Sequence, residues 1–256
     1  MGLAGLYVLA PYIYLTAQKQ FDFWPLSIIA SVIVVVCLAV LTEWGNHAPL
    51  TRKRASESAH LISSLGIYII AIQIVSMIWG NAPQTLRAGL DTTFSIGDSI
   101  LTQSQLLMLF AAGALLVGFL IMLRITDVGL RLRAMADNPI QFALYGYNLD
   151  RHRLLAFVLA GVFAASASLL TANDIGFDPH MGLNAILLAV VAVIIGGRAS
   201  FIGPIIGGLL LGIIRAQVVW HLSARWQESI TFVILALFLL LRSEGLLRRK
   251  TRVDAH

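Results

Sequence analysis

Charged residues are scarce in this chain of 256 residues. Asp, Glu, Lys and Arg together make up 12% of it, whereas a soluble domain has about 25%. Hydrophobic residues make up 58%, and the mean hydropathy is +0.84. So few charges cannot cover a surface that faces water, which excludes a soluble globular enzyme, a disordered chain and a fibrous repeat. We therefore expect a protein that lies largely within a membrane.

The sequence also lacks features that usually carry chemistry. Its single cysteine, Cys37, excludes an intrachain disulfide. There is no Gly-x-x-x-x-Gly-Lys-[Ser/Thr] phosphate loop and no Cys/His cluster with zinc spacing, so we expect neither a catalytic residue nor a metal site. The predicted spans contain no central carboxylate, which argues against a proton- or sodium-coupled carrier.

What the sequence does contain is long apolar runs. A helix needs about 20 apolar residues to cross the hydrocarbon core. These runs are continuously apolar and do not alternate with polar residues, which favours helices over barrel strands. We expect an all-α, polytopic bundle of about eight spans in one transmembrane domain over residues 1–256, the first span being short because Pro11 interrupts it. The predicted spans are 1–15, 23–41, 61–79, 106–123, 154–171, 183–195, 202–220 and 230–241.

The basic residues predict the orientation of these spans. The net charge is +5, and 14 of the 18 Lys and Arg residues lie in the C-terminal tail and in the loops 43–60, 124–153 and 196–201. Basic loops face the cytoplasm, so both termini are expected there. Segments 16–22, 80–105, 172–182 and 221–229 are then outside. Because the basic residues lie between apolar spans, no nucleic-acid partner is expected.

The cytoplasmic loop 124–153 has a helical pattern of its own. Asp137 and Asn138 are N-cap residue types, and Pro139 suits the first helical position. Apolar residues then recur at helical spacing until Gly146, which can end a helix. The loop therefore predicts a short amphipathic helix on the cytoplasmic face.

Arg215 is the one ionisable residue inside a predicted span. It could pair with a substrate carboxylate, or its side chain could extend to the outer interface, because Trp220 is five residues away, about 7.5 Å along a helix. The geometry favours the second interpretation. Other polar groups in or near the spans are candidate pathway contacts, although such groups more often bond to their own helix backbone. They are Gln73, Ser76, Ser166, Ser168 and Thr171.

Glycines recur at a spacing of four around the junction of the sixth and seventh spans. Small residues at this spacing allow helix backbones to approach closely within a membrane, so we expect them to pack helices together or to line a gate. The residues are Gly196, Gly197, Gly203, Gly207, Gly208 and Gly212.

Several motifs in a fixed order resemble one family. The stretch from Arg133 to Pro139, followed by Ala143 and Gly146-Tyr147-Asn148, resembles the cytoplasmic segment of bacterial ABC permeases. The glycine motifs and the ending Arg242-Ser243-Glu244-Gly245-Leu246 follow in the same order. The chain is similar to the branched-chain amino acid (Liv-type) permeases over roughly residues 1–250. It departs from them at Ser243, where proline is usual, and in lacking a further apolar segment before Met1.

The resemblance implies a permease subunit of an importer for branched-chain or related amino acids in the bacterial inner membrane. It implies two cytoplasmic ATPase subunits that bind ATP and Mg²⁺, a second permease subunit that is a paralogue, and a periplasmic or lipid-anchored binding protein. This chain itself would need no cofactor. The loop helix would dock on an ATPase through residues Asp137, Asn138, Pro139, Ile140, Ala143 and Gly146.

Two alternatives remain open from the sequence. The same type of permease could carry urea, amides, aromatic acids or sugars, because selectivity resides largely in the binding protein. A channel or secondary carrier that needs no ATPase is the alternative from another class.

Overall fold

The computed structural model describes residues 1–86, 93–96, 99–197 and 200–241. Within these residues the chain forms eleven α-helices, one π-helical turn and one antiparallel hairpin. The helices divide between two compact units, Met1–Gly182 and Leu183–His256. The elements of the first unit are α1 (Gly2–Phe21), α2 (Trp24–Thr42), the π-helical turn (Glu43–His47), α3 (Ala48–Arg52), α4 (Glu57–Trp79), β1 (Thr93–Ile96), β2 (Ser99–Thr102), α5 (Gln103–Ile125), α6 (Asp127–Asp137), α7 (Pro139–Leu144) and α8 (Leu149–Asp174). Then come α9 (Met181–Gly196), α10 (Gly203–His221) and α11 (Trp226–Leu241).

The predicted all-α, polytopic class is confirmed, because a helix occupies each of the eight apolar segments. Within the described residues, five helices are long and apolar enough to cross a membrane: the continuous helix Trp24–Arg52, α4, α5, α8 and α10. Helices α9 and α11 are apolar but shorter. The count of eight spans and the sidedness of the loops remain predictions.

The predicted interruption of the first span at Pro11 is wrong, because α1 runs unbroken from Gly2 to Phe21 with Pro11 inside it. Proline lacks the N–H that would bond to the carbonyl four residues earlier, here that of Tyr7. The hydroxyl of Ser168, on α8, donates to this carbonyl instead, at 2.5 Å. A neighbouring helix thus supplies the missing bond, and α1 continues to Asp22, whose φ of 48° ends it.

Helix α1 is the most deeply buried helix of the first unit, with α2, α4 and α8 packed around it. Val8 and Tyr12 are fully buried, and the Tyr12 ring lies 4.8 Å from the ring of Phe177. The hydroxyl of Ser31, on α2, donates to the carbonyl of Ala10 at 2.7 Å. Small residues let the helices approach: a Cβ on Gly5 would lie 2.9 Å from the Cβ of Ala71 on α4.

Contacts between described loop residues lie at two ends of the first unit. At one end, the π-helical turn and α3 lie beside the start of α8, joined by the ion pair of Glu43 with Arg153. At the other end, Gln84 and Phe177 form a two-way backbone bridge with N–O distances of 2.8 Å. The first set of loops is the set predicted to be cytoplasmic, so the candidate docking helix α7 lies at that end.

The second unit is built on close contact between α9 and α10. Gly207 lies against the backbone of Ala192, and Gly203 lies against that of Gly196, with no room for a Cβ at either position. Val191, Ile195 and Leu211 form a buried cluster, on which side chains of α11 pack. The close approach of the two helix backbones at these glycines therefore sets the geometry of the pair.

Candidate functional site

The candidate docking segment begins with a rigid joint between α5 and α6. Thr126 is the C-cap of α5 and also the N-cap of α6. Its hydroxyl donates to the carbonyl of Met122 at 2.7 Å and accepts from the N–H of Gly129 at 3.1 Å. A Cβ on Gly129 would collide with the backbone of Leu123, so the turn requires glycine there. Helix α6 is consequently fixed in direction relative to α5.

Helix α7 follows the boundaries that its sequence predicts. The side-chain oxygen of Asn138 accepts from the N–H groups of Ile140 and Gln141 at 3.1 and 3.0 Å, which caps the helix. Pro139 is the first helical residue. After the helix, Gly146 has a φ of +82°, a conformation that glycine adopts without strain. The helix is short because Asn138 caps its start and Gly146 follows its end only a few residues later.

One side chain anchors α7 to the rest of the unit. Phe142 is 4% exposed, and its ring lies 4.9 Å from that of Tyr147 and 4.9 Å, edge-on, from that of His152. The guanidinium carbon of Arg131, on α6, lies 5.5 Å from the centre of the Tyr147 ring. This aromatic cluster ties α7 to both α6 and the first turn of α8.

The side of α7 that faces away from this cluster carries exposed apolar side chains. Ile140, Leu144 and Tyr145 are 74%, 81% and 82% exposed. Of the predicted docking residues, Asp137, Pro139, Ile140, Ala143 and Gly146 are exposed and Asn138 is half-buried. Most of this set therefore lies on an accessible surface, and so do Leu144 and Tyr145, which the sequence pattern did not single out for docking.

An ion pair connects the start of α8 to the π-helical turn. The Glu43 side chain is almost fully buried, and its Oε1 accepts from Nε of Arg153 at 2.6 Å. The Nη1 of the same arginine donates to the hydroxyl of Thr51 on α3 at 3.0 Å. A π-helical turn inside a longer helix often marks a functional region. Sequence inspection missed Glu43 because nothing in the one-dimensional pattern places it opposite Arg153.

Arg215 lies within the second unit, where its guanidinium reaches across to α11. Its Nη1 donates to the hydroxyl of Thr231 at 3.3 Å, and its Nη2 donates to the side-chain oxygen of Gln227 at 3.4 Å. Thr231 is buried and donates in turn to the carbonyl of Gln227 at 2.6 Å. The side chain thus takes polar partners near the start of α11, a direction that agrees with its extending towards the predicted outer end.

The remaining candidate pathway residues do not form one site. Ser168 bonds to the Tyr7 carbonyl, and Thr171 donates to the carbonyl of Ala167 on its own helix at 2.9 Å. Ser76 and Ser166 are half-buried, and Gln73 is exposed on α4. The structure explains Ser168 and Thr171 as backbone partners, and none of the five residues lines the three described cavities, those beside Arg215, His47 and Arg124.

The candidate glycines divide by their contacts. Gly196, Gly203 and Gly207 meet backbone atoms closely, and Gly197 has a φ of +98°. Gly208 makes only an ordinary contact, and a Cβ on Gly212 would meet nothing within 4 Å. Three of the six glycines are therefore required by close packing within this unit. The residues Arg198 and 242–246, which contribute to the orientation and to the family motif, lie outside the described residues.

Comparisons with known proteins identify the family. The family model described as the permease component of branched-chain amino acid transport systems matches residues 1–241. The high-affinity branched-chain amino acid permease LivH of Escherichia coli K12 is 27% identical over 96% of this chain and 83% of its own length. BraD of Pseudomonas aeruginosa, a permease of the same description, is 26% identical over the same shares.

A relative with another printed cargo also matches. The autoinducer 2 import system permease LsrC of Klebsiella pneumoniae is 28% identical over 73% of this chain and 55% of its own length. No solved structure matches the chain. The apolar helices, the family model and the relatives agree on a multi-pass transport permease subunit, and the chain belongs to the family of branched-chain amino acid transport system permease components.

Proposed function

We propose that this chain is one membrane subunit of an ABC importer that moves branched-chain or related amino acids across the bacterial inner membrane. In this proposal a cytoplasmic ATPase subunit docks on α7, the ATPases bind ATP and Mg²⁺, and the permease reorients when they close. A binding protein on the outer side delivers the cargo, and a second permease subunit completes the pathway.

The outward apolar surface of α7 is the observation that carries the proposal. Ile140, Leu144 and Tyr145 lie at the end of the unit that the basic loops assign to the cytoplasm. A helix this short needs tertiary support, which Phe142 supplies from the opposite side. A fixed helix that presents apolar side chains away from its own domain fits a groove on a partner protein.

The names of the relatives LivH and BraD, each matched over almost the whole chain, support the branched-chain cargo. A second candidate is an importer of the same type with another small cargo, including urea, amides, aromatic acids or sugars. The match to an autoinducer 2 permease favours keeping this candidate, although it covers a smaller share of both chains.

Purification from native membranes in a mild detergent, with mass spectrometry of everything that co-elutes, tests the importer proposal. We expect an ATPase and a second permease of the same family to accompany this chain. A chain that elutes alone, or only with itself, would contradict the proposal and favour a channel or carrier centred on Arg215.

Substitutions on α7 test the docking surface separately. Leu144→Glu places a charge on the exposed apolar surface and should abolish both co-purification of the ATPase and coupled uptake, because the charge cannot be desolvated in a groove without a partner. Ala143→Glu, or a bulky residue at Gly146, should act in the same direction. Ile175→Glu is a matched control, since Ile175 is 78% exposed at the opposite end of the unit. Normal coupled uptake with Leu144→Glu would remove the docking assignment.

A further inference from the structure

A small cleft in the second unit combines two opposite charges with an apolar wall. Arg215 from α10 and Glu228 from α11 line it, and Asn184 from α9 adds a polar side chain. Leu187 and Val191 from α9 and Phe232 from α11 form the apolar part. At this cleft the first turns of α9 and α11 meet the last turns of α10. These are the ends of the three helices that are predicted to face outside.

The guanidinium of Arg215 retains unused hydrogen-bonding capacity. Arginine has five N–H donors, and the two contacts to Thr231 and Gln227 are long, at 3.3 and 3.4 Å. Both acceptors are neutral, and no ion pair neutralises Arg215 within the described part of the chain. An arginine within a membrane-spanning segment usually faces a partner or a pathway. The remaining N–H donors of Arg215 can therefore bind an anion.

Glu228 supplies the opposite charge without cancelling the first. It lines the same cleft, yet it forms no ion pair with Arg215. Two opposite charges that border one cleft and remain apart are complementary to a ligand that carries both charges itself. An α-amino acid has a carboxylate and an ammonium group on one carbon, and an aliphatic side chain would face the wall formed by Leu187, Val191 and Phe232.

We infer that this cleft binds the cargo as a zwitterion at the outer end of the permease, with Arg215 on the carboxylate, Glu228 on the ammonium group and the α9–α11 wall on an aliphatic side chain. The inference rests on the proposed import of amino acids and adds the residues that select them. The cavity has a volume of about 40 Å³, enough for water but not for a leucine. Binding of leucine in this cleft therefore requires α9 and α11 to move apart.

Ligand-induced stabilisation of the purified permease complex, measured without the binding protein, tests this inference. A ligand that binds only the folded state raises the unfolding temperature. L-leucine should raise it in a concentration-dependent manner. Leucinamide, which lacks the carboxylate, and 4-methylpentanoate, which lacks the ammonium group, should not.

Two variants and two controls assign the effect to the cleft. Arg215→Gln and Glu228→Gln should each weaken leucine binding by at least about tenfold, because each removes a charge-assisted contact. Arg225→Gln removes a charge from an exposed residue of the same unit that does not line the cleft, and Asp22→Asn does the same for an exposed carboxylate of the first unit. Both controls should bind leucine as the unaltered protein does.

Three kinds of result would overturn the inference. They are no stabilisation of the unaltered complex by leucine, equal stabilisation by leucinamide or by 4-methylpentanoate, and unchanged leucine binding in Arg215→Gln or in Glu228→Gln. None of them touches the importer proposal, which stands or fails on whether an ATPase co-purifies. A complex that contains its ATPase but fails this test would leave the import function standing and would place amino acid selection elsewhere.

Discussion

Replacing Ser168 by alanine should destabilise the protein, and replacing Pro11 as well should remove most of that cost. In the present structure the Tyr7 carbonyl has lost its helical partner to Pro11 and accepts from the Ser168 hydroxyl at 2.5 Å. Ser168 is fully buried, so water cannot replace the hydroxyl in Ser168→Ala. A buried carbonyl without a partner costs about 1–3 kcal/mol.

The double substitution isolates this bond from other effects. Pro11→Ala introduces a backbone N–H that can donate to the same carbonyl and complete the helical pattern. In that background Ser168→Ala should cost less than about 1 kcal/mol, since the carbonyl now has another donor. The coupling energy between the two sites should therefore be about 1–2 kcal/mol, above the roughly 0.5 kcal/mol within which independent sites add.

Unfolding in mixed micelles, followed by circular dichroism, measures the free energy of unfolding of the four proteins in this cycle. Ser166→Ala is the matched control, because Ser166 is half-buried two residues away on the same helix and makes no bond to α1. A Ser168→Ala cost that is the same with and without Pro11 would refute the reasoning. Cargo uptake that falls in Ser168→Ala while stability holds would restore Ser168 as a pathway residue.

Three further substitutions follow from the packing. Arg153→Met leaves the buried carboxylate of Glu43 without its partner and should lower the free energy of unfolding by about 3 kcal/mol. Adding Glu43→Gln should recover most of this loss. Equal free energies of unfolding for the single and double variants would contradict the prediction. Gly207→Val should prevent α9 and α10 from packing and lower the thermal unfolding midpoint, whereas Gly212→Val, at an open position, should leave it unchanged. Gly146→Ala should cost about 1–2 kcal/mol in thermal unfolding, because its φ of +82° strains any residue with a Cβ, and Gly146→Asn should cost less.

The positions of the membrane helices were predictable because continuous apolar length is a one-dimensional property. Each of the eight apolar segments contains a helix. The effect of Pro11 was not predictable, because the group that compensates it, Ser168, is 157 positions away in the sequence and is identified only by its contact with Tyr7. Local rules account for the N–H that proline removes, but they contain no information about a donor on another helix.

The candidate docking site shows the same division between local and distant information. The caps of α7 at Asn138 and Gly146 follow from residue type and appear as predicted. Helix α6 escaped sequence analysis, although Thr126 followed by Asp127 is an N-terminal signal that could have revealed it. The sequence could not show that Phe142 anchors α7 to its own unit. An aromatic residue in a short amphipathic helix can equally be the one that faces a partner.

The contacts around α7 determine which membrane helices a docked partner could move. Because Thr126 caps two helices at once, α6 cannot turn without α5. Because Phe142 packs on His152, a displacement of α7 also acts on the first turn of α8. Arg153, the next residue along α8, is bonded to Glu43 in the π-helical turn that extends α2. Force applied at α7 therefore reaches α5, α8 and α2 through close contacts, and two of these helices, α2 and α8, pack against the central helix α1.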